Sequence, residues 1–430
     1  ILEIMAQYDD DLFNQGFRYY NQKEYANAFK IFQKLFLDNN IEGTKKSLSK
    51  YYAADCLFNI KQFDASAILF ESFVNENIFS NLRESALYKL GELYYHLGSY
   101  RKCRERLLTL TESYPQTLFK GSAYYWIAEA YAAEKRYIEA EEYFQKAIEN
   151  KESNDFIVNT YYSFGQLYEN IGNFSEAVKY YDELLAYYKE SQLAPYAQLR
   201  IGISYFNKKE YDSAVLELSN PLIKNLPPKD ILYAKYYLAN SYSRLKDYQN
   251  SLTLLEDLSK EELSVELKRI ITYNIAWTKF QLNDYEGAYK IFYELSENEV
   301  DSLSVYAFYW SGECKRYAGD IKTADEIYKK FLEKYPQHSL AARAQLSKGT
   351  VYYTSNQSKE AETSLINATI HGDVLTKGKA FTLLGEMKLN SNNYSDARNY
   401  FSSALKFISN DVQLSNRAKL GLAISEFYLN

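Results

Sequence analysis

One period runs through the whole chain. Glycine or alanine recurs at Gly16, Ala54, Gly91, Ala128, Gly165, Gly202, Ala239, Ala276, Gly312, Gly349, Gly385 and Gly421, with gaps of 36 to 38 residues. Twelve residues after each of these but the last stands a second small residue: Ala28, Ser66, Cys103, Ala140, Ala177, Ala214, Ser251, Ala288, Ala324, Ala361 and Ala397. Four residues further on the side chain is always large: Phe32, Phe70, Leu107, Phe144, Tyr181, Leu218, Leu255, Phe292, Tyr328, Leu365 and Phe401. A self-similar period of this length marks stacked supersecondary units, whose core grows along a line instead of around a centre.

Each unit holds two amphipathic stretches of about 14 residues, separated by a short break such as Leu97-Gly98-Ser99 or Ile171-Gly172-Asn173. The small residues allow two helices to approach closely, and the large residue fills the gap on the same face. An aromatic opens the second helix at Tyr25, Phe63, Tyr100, Tyr137, Phe174, Tyr211, Tyr248, Tyr285 and Tyr394, where it covers the hairpin turn. Of six prolines, Pro115, Pro195, Pro227, Pro228 and Pro336 fall between helical pairs. Pro221 falls near the end of a helix and is expected to kink or shorten it.

Leu90-Gly91, Tyr94, Leu107 and Pro115, and likewise Phe164-Gly165, Tyr168, Ala177 and Tyr181, resemble the tetratricopeptide repeat pattern of Leu-Gly, Tyr, Ala, Phe and Pro at fixed offsets. The resemblance covers almost the whole chain. It departs from the family in a period near 37 rather than about 34 residues, and in Cys103, Ser66 and Ser251 at the alanine position. It implies an all-α fold: a right-handed α-solenoid, or superhelix, of stacked antiparallel helix pairs, about 11.5 repeats in one continuous array over 1–430. The repeats begin near 9, 47, 84, 121, 158, 195, 232, 269, 305, 342, 378 and 414. Ser113-Tyr114-Pro115 and Glu333-Lys334-Tyr335-Pro336 are similar to segments of bacterial envelope proteins of the outer-membrane assembly lipoprotein and Tol-Pal coordinator type. A cell-envelope or extracellular setting in a bacterium is therefore expected over a cytoplasmic one.

The residues of catalysis are not gathered anywhere in the sequence. The three histidines, His96, His338 and His371, are never paired, and no phosphate loop, nucleophile elbow or metal-type Cys or His spacing occurs. Cys56, Cys103 and Cys314 are far apart and read as small buried side chains. Carboxylate runs such as Glu139, Glu141 and Glu142 are interspersed with lysine and read as a solvated face. The sequons at Asn173, Asn356, Asn367 and Asn393 are no more than an Asn- and Ser-rich chain yields by chance. No enzyme activity, cofactor or metal is expected. A net charge of −6 argues against nucleic acid, and no apolar run reaches the roughly 20 residues of a membrane span.

Binding remains. In the family resembled, the first helix of each pair lines a concave face. Three residues before the small position, seven of the twelve units carry tyrosine: Tyr51, Tyr88, Tyr125, Tyr162, Tyr236, Tyr273 and Tyr309. One residue after it stand Glu92, Glu129 and other acidic or amide residues, with Trp277 in the eighth unit. These are the candidate contacts of an acidic, tyrosine-lined groove for protein or peptide segments. The same rings could instead pack between neighbouring first helices. The lysine with which chaperone-binding members grip a terminal carboxylate has no counterpart at these positions. Two other readings are a structural protein assembling end to end into filaments and a carbohydrate-contacting envelope protein. Leu422, Phe427 and Leu429, in an apolar final segment, are the self-association candidates; a chain cut from a longer array is the other explanation of that segment, and the one expected first. The opening stretch Ile1 to Met5 is too short for a helical pair.

Overall fold

The computed structural model describes residues 2–41, 43–298, 301–408 and 411–429, with side chains from Asp11 onward except Asn298. Among these residues there are helices and no strands. The chain divides into two compact units, Ile1–Ile231 and Leu232–Asn430.

The first unit runs α1 (Leu2–Asn21), α2 (Tyr25–Leu37), α3 (Gly43–Asn59), α4 (Phe63–Glu76), α5 (Arg83–His96) and α6 (Tyr100–Ser113). It continues with α7 (Lys120–Ala133), α8 (Tyr137–Glu149), α9 (Ile157–Asn170), α10 (Phe174–Tyr188), α11 (Ala194–Asn207) and α12 (Tyr211–Leu218). The division falls inside α13 (Pro228–Arg244), followed by α14 (Tyr248–Leu258), α15 (Val265–Gln281), α16 (Tyr285–Asn298), α17 (Ser302–Tyr317) and α18 (Ile321–Lys334). The second unit ends with α19 (Ala341–Thr354), α20 (Ser358–His371), α21 (Val374–Asn390), α22 (Tyr394–Leu405) and α23 (Val412–Leu429). Odd-numbered helices are the first of each pair. Within each unit a helix packs on its neighbours in sequence, and first helices also touch one another, as in α5–α7, α7–α9, α19–α21 and α21–α23. That second set of contacts is what makes the array a helical-repeat solenoid.

The small-and-large period has a direct steric cause. A Cβ built on Gly91 would lie 2.3 Å from Leu107 Cγ, one on Gly202 2.6 Å from Leu218 Cγ, and one on Gly349 2.7 Å from Leu365 Cγ. The residue sixteen positions on therefore packs directly onto the glycine backbone, and locks the two helices of one pair together.

The hairpin inside each pair is equally regular. The residue two before the second helix has a left-handed backbone at Lys23, Lys61, Gly98, Lys135, Gly172, Lys209, Lys246, Asn283, Gly319, Asn356 and Asn392. The chain must reverse here within two or three residues, and this conformation does it even where the residue is lysine. Asn173 and Asn393, which head two sequons, instead cap α10 and α22 by accepting from the backbone N–H of Glu176 and Asp396.

Two local expectations meet their outcome here. α12 stops at Leu218 after 8 residues, and Pro221 opens a short 3₁₀ turn over Pro221–Asn225, because proline has no N–H to continue the helix. The opening residues belong to a longer helix: α1 begins at Leu2, ahead of the repeat start expected near 9, since no glycine or proline interrupts the stretch before Gly16.

Candidate partner-binding face

The first helices carry all the candidate groove residues, and the structure gives them two different fates. In the first unit three of the four tyrosines are sealed. Tyr51, Tyr88 and Tyr125 are buried, the last 7% exposed, and belong to one core cluster that extends from Tyr51 to Ile201. Tyr88 stacks on Phe119 with ring centroids 4.6 Å apart, and Tyr125 stacks on Phe156 at 5.1 Å. Phe119 and Phe156 are the residues immediately before α7 and α9, thirty-one positions after the tyrosine each one covers. Leu82 and Leu193 take the same place before α5 and α11 and pack on the same core. Tyr51 Oη also shares a 2.8 Å hydrogen bond with Ser85 Oγ of the next first helix. Tyr162 is half-buried, 5.6 Å from the Tyr181 ring. These rings fill the seams between repeats.

The expected acidic wall is likewise drawn inward. Asp55, 2% exposed, accepts from Tyr20 and is ion-paired with Lys89. Glu129 accepts from Tyr95 Oη at 3.2 Å, and burial pushes its carboxyl above the usual carboxylate range despite neighbouring hydroxyls. Burial also raises Glu92, against the pull of Lys89. In the second unit Glu313 is buried, ion-paired with Arg316 at 2.6 Å and accepting from Tyr328 Oη at 2.7 Å. An acidic lining is thus not what this face presents. A carboxylate at this register is drawn into the packing between helices, where an uncompensated charge is costly, so it takes a partner or has its carboxyl raised by burial.

The second unit differs in how its first helices begin. Ser264, Asp301 and Asp373 precede α15, α17 and α21, and each accepts a hydrogen bond from a backbone N–H of the first turn. Asp301 and Asp373 also hold arginines of the preceding repeat, Arg269 at 3.2 Å and Arg343 at 2.7 Å. At these three borders a polar cap stands where the first unit has an apolar plug. Trp277 and Tyr273 are half-buried; burial pushes the Tyr273 hydroxyl up to about 12. Tyr236 is half-buried against a small cluster around Ala239 and Leu255. The exception supports the rule: α19 is preceded by apolar Leu340, and Tyr309, thirty-one residues before it, is buried in the same cluster.

Two cavities open along these seams. One, of about 620 Å³, is walled wholly by α17, α19, α21 and α23 and the cap Asp373, with Trp310, Tyr317, Tyr353, Lys379 and Arg417 among its lining. The other, of about 550 Å³, is walled by α13, α14, α15, α17 and the start of α19, and includes Trp277, Tyr273, Tyr306, Arg244 and Lys246. Tyr309, Trp310 and Arg343 line both, so the two adjoin. Burial works against an ionised Asp373, but hydrogen bonds from Arg343 and Thr376 outweigh it and hold the carboxyl at about 2. Trp310 and the cations were not singled out by sequence. For Arg343 and Lys379 alone a shared signal lies six residues before the small position, which reads Ser85, Ser122 and Asn159 in three repeats of the first unit.

The self-association candidates lie on α23. Leu422 is half-buried against the core around Phe401, whereas Phe427 is 77% exposed and Leu429 is also exposed. All three cysteines are buried thiols. Among the described residues no acidic, Cys or His cluster could hold a metal ion, and no helix is long and apolar enough to cross a membrane.

Residues 85–117, 233–262 and 306–338 match one tetratricopeptide repeat model, 119–190 a second and 162–223 a third. No curated protein matches the chain. Among solved structures it is similar to a tetratricopeptide repeat protein from Parabacteroides merdae, at 13% identity over 62% of this chain and 98% of that one, with a TM-score of 0.48. The C-terminal part of a TPR repeat-containing protein from Cytophaga hutchinsonii matches at 11% identity over 60% of this chain and 98% of that one, TM-score 0.45. The Cut9–Hcn1 hetero-tetramer of the APC/C matches at 14% identity over 96% of this chain and 90% of that one, TM-score 0.41. The stretches 85–117, 119–223, 233–262 and 306–338 thus match tetratricopeptide repeat models, and the remaining helix pairs among the described residues keep the same period.

Proposed function

We propose that the chain is a non-enzymatic interaction scaffold that holds an extended segment of a partner protein against its first helices, and that the working stretch of that face lies in Leu232–Asn430. Tetratricopeptide repeat proteins generally mediate protein–protein interaction. The observation that carries the reading is the pair of adjoining cavities at Trp277, Trp310 and Tyr317, where aromatic rings and polar groups converge on open space. Such rings offer large contact area at low rotamer cost and dominate the energetics of interfaces. The tyrosines of the first unit serve stability in this reading.

The test is to pan a library of extended peptides against the full chain and repeat the binding with two variants. Tyr306→Ala/Tyr317→Ala removes exposed rings from the cavities, and should weaken captured peptides by about tenfold or more with little change in unfolding midpoint. Tyr125→Ala should lower the midpoint and leave affinity unchanged. A folded Tyr306/Tyr317 variant that binds the same peptides equally well would overturn the assignment.

A further inference from the structure

The charge of the open face points to its occupant. The chain as a whole carries −6, yet Arg244, Lys246, Arg343, Lys379 and Arg417 line the two cavities. Against them stand Glu313, which is buried beneath Arg316, and Asp373, which is held by Arg343. Arg417 is ion-paired with Glu386. Arg244, Lys246 and Lys379 are exposed and have no acidic partner among the described residues. A surface that gathers unpaired cations around half-buried indoles, on a molecule of opposite net sign, is matched to a ligand of negative charge with apolar groups between the charges.

The spacing of the cations narrows this further. Arg244 lies on α13 and Arg417 on α23, five first helices along. At an interaxial distance of about 8–10 Å per step, the strip is roughly 45 Å long, which about 13 residues of extended chain would span. One terminal carboxylate can satisfy only one end of such a strip. We propose that the first-helix face of α13–α23 binds an internal acidic segment of a partner protein, its side-chain carboxylates spread over Arg244, Lys246, Arg343, Lys379 and Arg417 and its apolar residues against Trp277 and Trp310. This rests on the scaffold reading above and adds the chemistry of the partner.

Three fluorescein-labelled, C-terminally amidated peptides of about 13 residues test it on the full chain. They share the same Leu and Phe positions and differ only in having Glu, Gln or Lys elsewhere. A single-stranded oligonucleotide of similar length serves as a polyanion without a peptide backbone. The Glu peptide should bind best by fluorescence anisotropy, and its affinity should fall as salt rises from about 0.05 to about 0.3 M. Arg244→Gln/Lys246→Asn/Lys379→Gln removes three exposed charges without touching the core. It should weaken the Glu peptide roughly tenfold and leave the Gln peptide unchanged. Equal binding of the Glu and Gln peptides would sink the acidic assignment while leaving the scaffold intact. Binding of none of the three would sink both. An oligonucleotide that binds as tightly as the Glu peptide, or a triple variant that binds the Glu peptide normally, would also overturn the inference.

Discussion

The two units are built to one period and diverge at a single recurring place, the residue before each first helix. In the first unit Leu82, Phe119, Phe156 and Leu193 stand there, the helices that follow are 14 residues long, and a tyrosine of the preceding repeat is covered. In the second, α15 and α21 are 17 residues and α17 is 16, each starting earlier on a polar cap. A polar cap stabilises its own helix by about 1 kcal/mol, but it cannot cover a neighbour's ring. The core follows suit. The first unit has a cluster around Phe32 and one that runs from Tyr51 to Ile201, whereas the second unit has separate clusters around Leu255, Phe292, Phe331, Leu365 and Phe401. Where that position is apolar it covers a ring of the preceding repeat, and where it is polar the following helix gains a cap instead.

Exchanging the two devices should have the largest effect. Phe156→Asp places a polar cap in the first unit; Tyr125 loses its stacking partner, and the loss should be about 2 kcal/mol after the new cap offsets part of it. The reciprocal Asp373→Leu should cost only about 1 kcal/mol, for the lost cap. Hydrogen exchange should show the first change across α7–α9 and confine the second to α21. Equal costs would break the comparison.

A smaller effect depends on pH and has opposite signs in the two units. The folded-state values of Glu92 and Glu129 are raised by burial, so their contribution is fully present below the unfolded value of about 4.3 and is lost as pH rises through the folded one. Glu92→Gln/Glu129→Gln should therefore raise the urea midpoint at pH 7 more than at pH 4. Asp373 runs the other way. Its stabilisation is present above about 3.9 and is lost as pH falls to about 2. A double variant with the same pH profile as the parent would show that neither glutamate titrates in the seam.

The smallest change sharpens the comparison by leaving it alone. Lys135 adopts a left-handed backbone in a hairpin common to both units, and Lys135→Gly should stabilise by about 0.5 kcal/mol, since relief of strain exceeds the added chain entropy. Thermal unfolding measures it. A loss would mean that the lysine side chain, and not the turn, matters there.

The helix pairs were legible in the sequence because their determinants are local. Gly91 and Leu107, or Gly202 and Leu218, are sixteen residues apart and meet within one hairpin. The fate of the tyrosines was not, because it depends on a second residue in the next repeat. Tyr125 and Tyr273 look alike until Phe156 is seen over one and Asp301 capping the helix beside the other. The acidic register was read correctly as a pattern and misplaced as a surface: Asp55 and Glu313 face Lys89 and Arg316 rather than a partner. The cations form no pattern in the sequence, because Arg244, Arg343, Lys379 and Arg417 do not share one register and only Arg343 and Lys379 recur at the same offset.

The glycine lock has a genealogical consequence. It draws both of its members from the same hairpin, so a hairpin can be copied or excised whole without leaving either member widowed. Excision of residues 82–118, for example, would bring Phe119 to the place of Leu82 opposite Tyr51, one hydrophobic cover for another. Length in such a chain is cheap to change by recombination. The border residue is what each new copy must negotiate with its neighbours, and a copy whose border turns polar is released from that obligation.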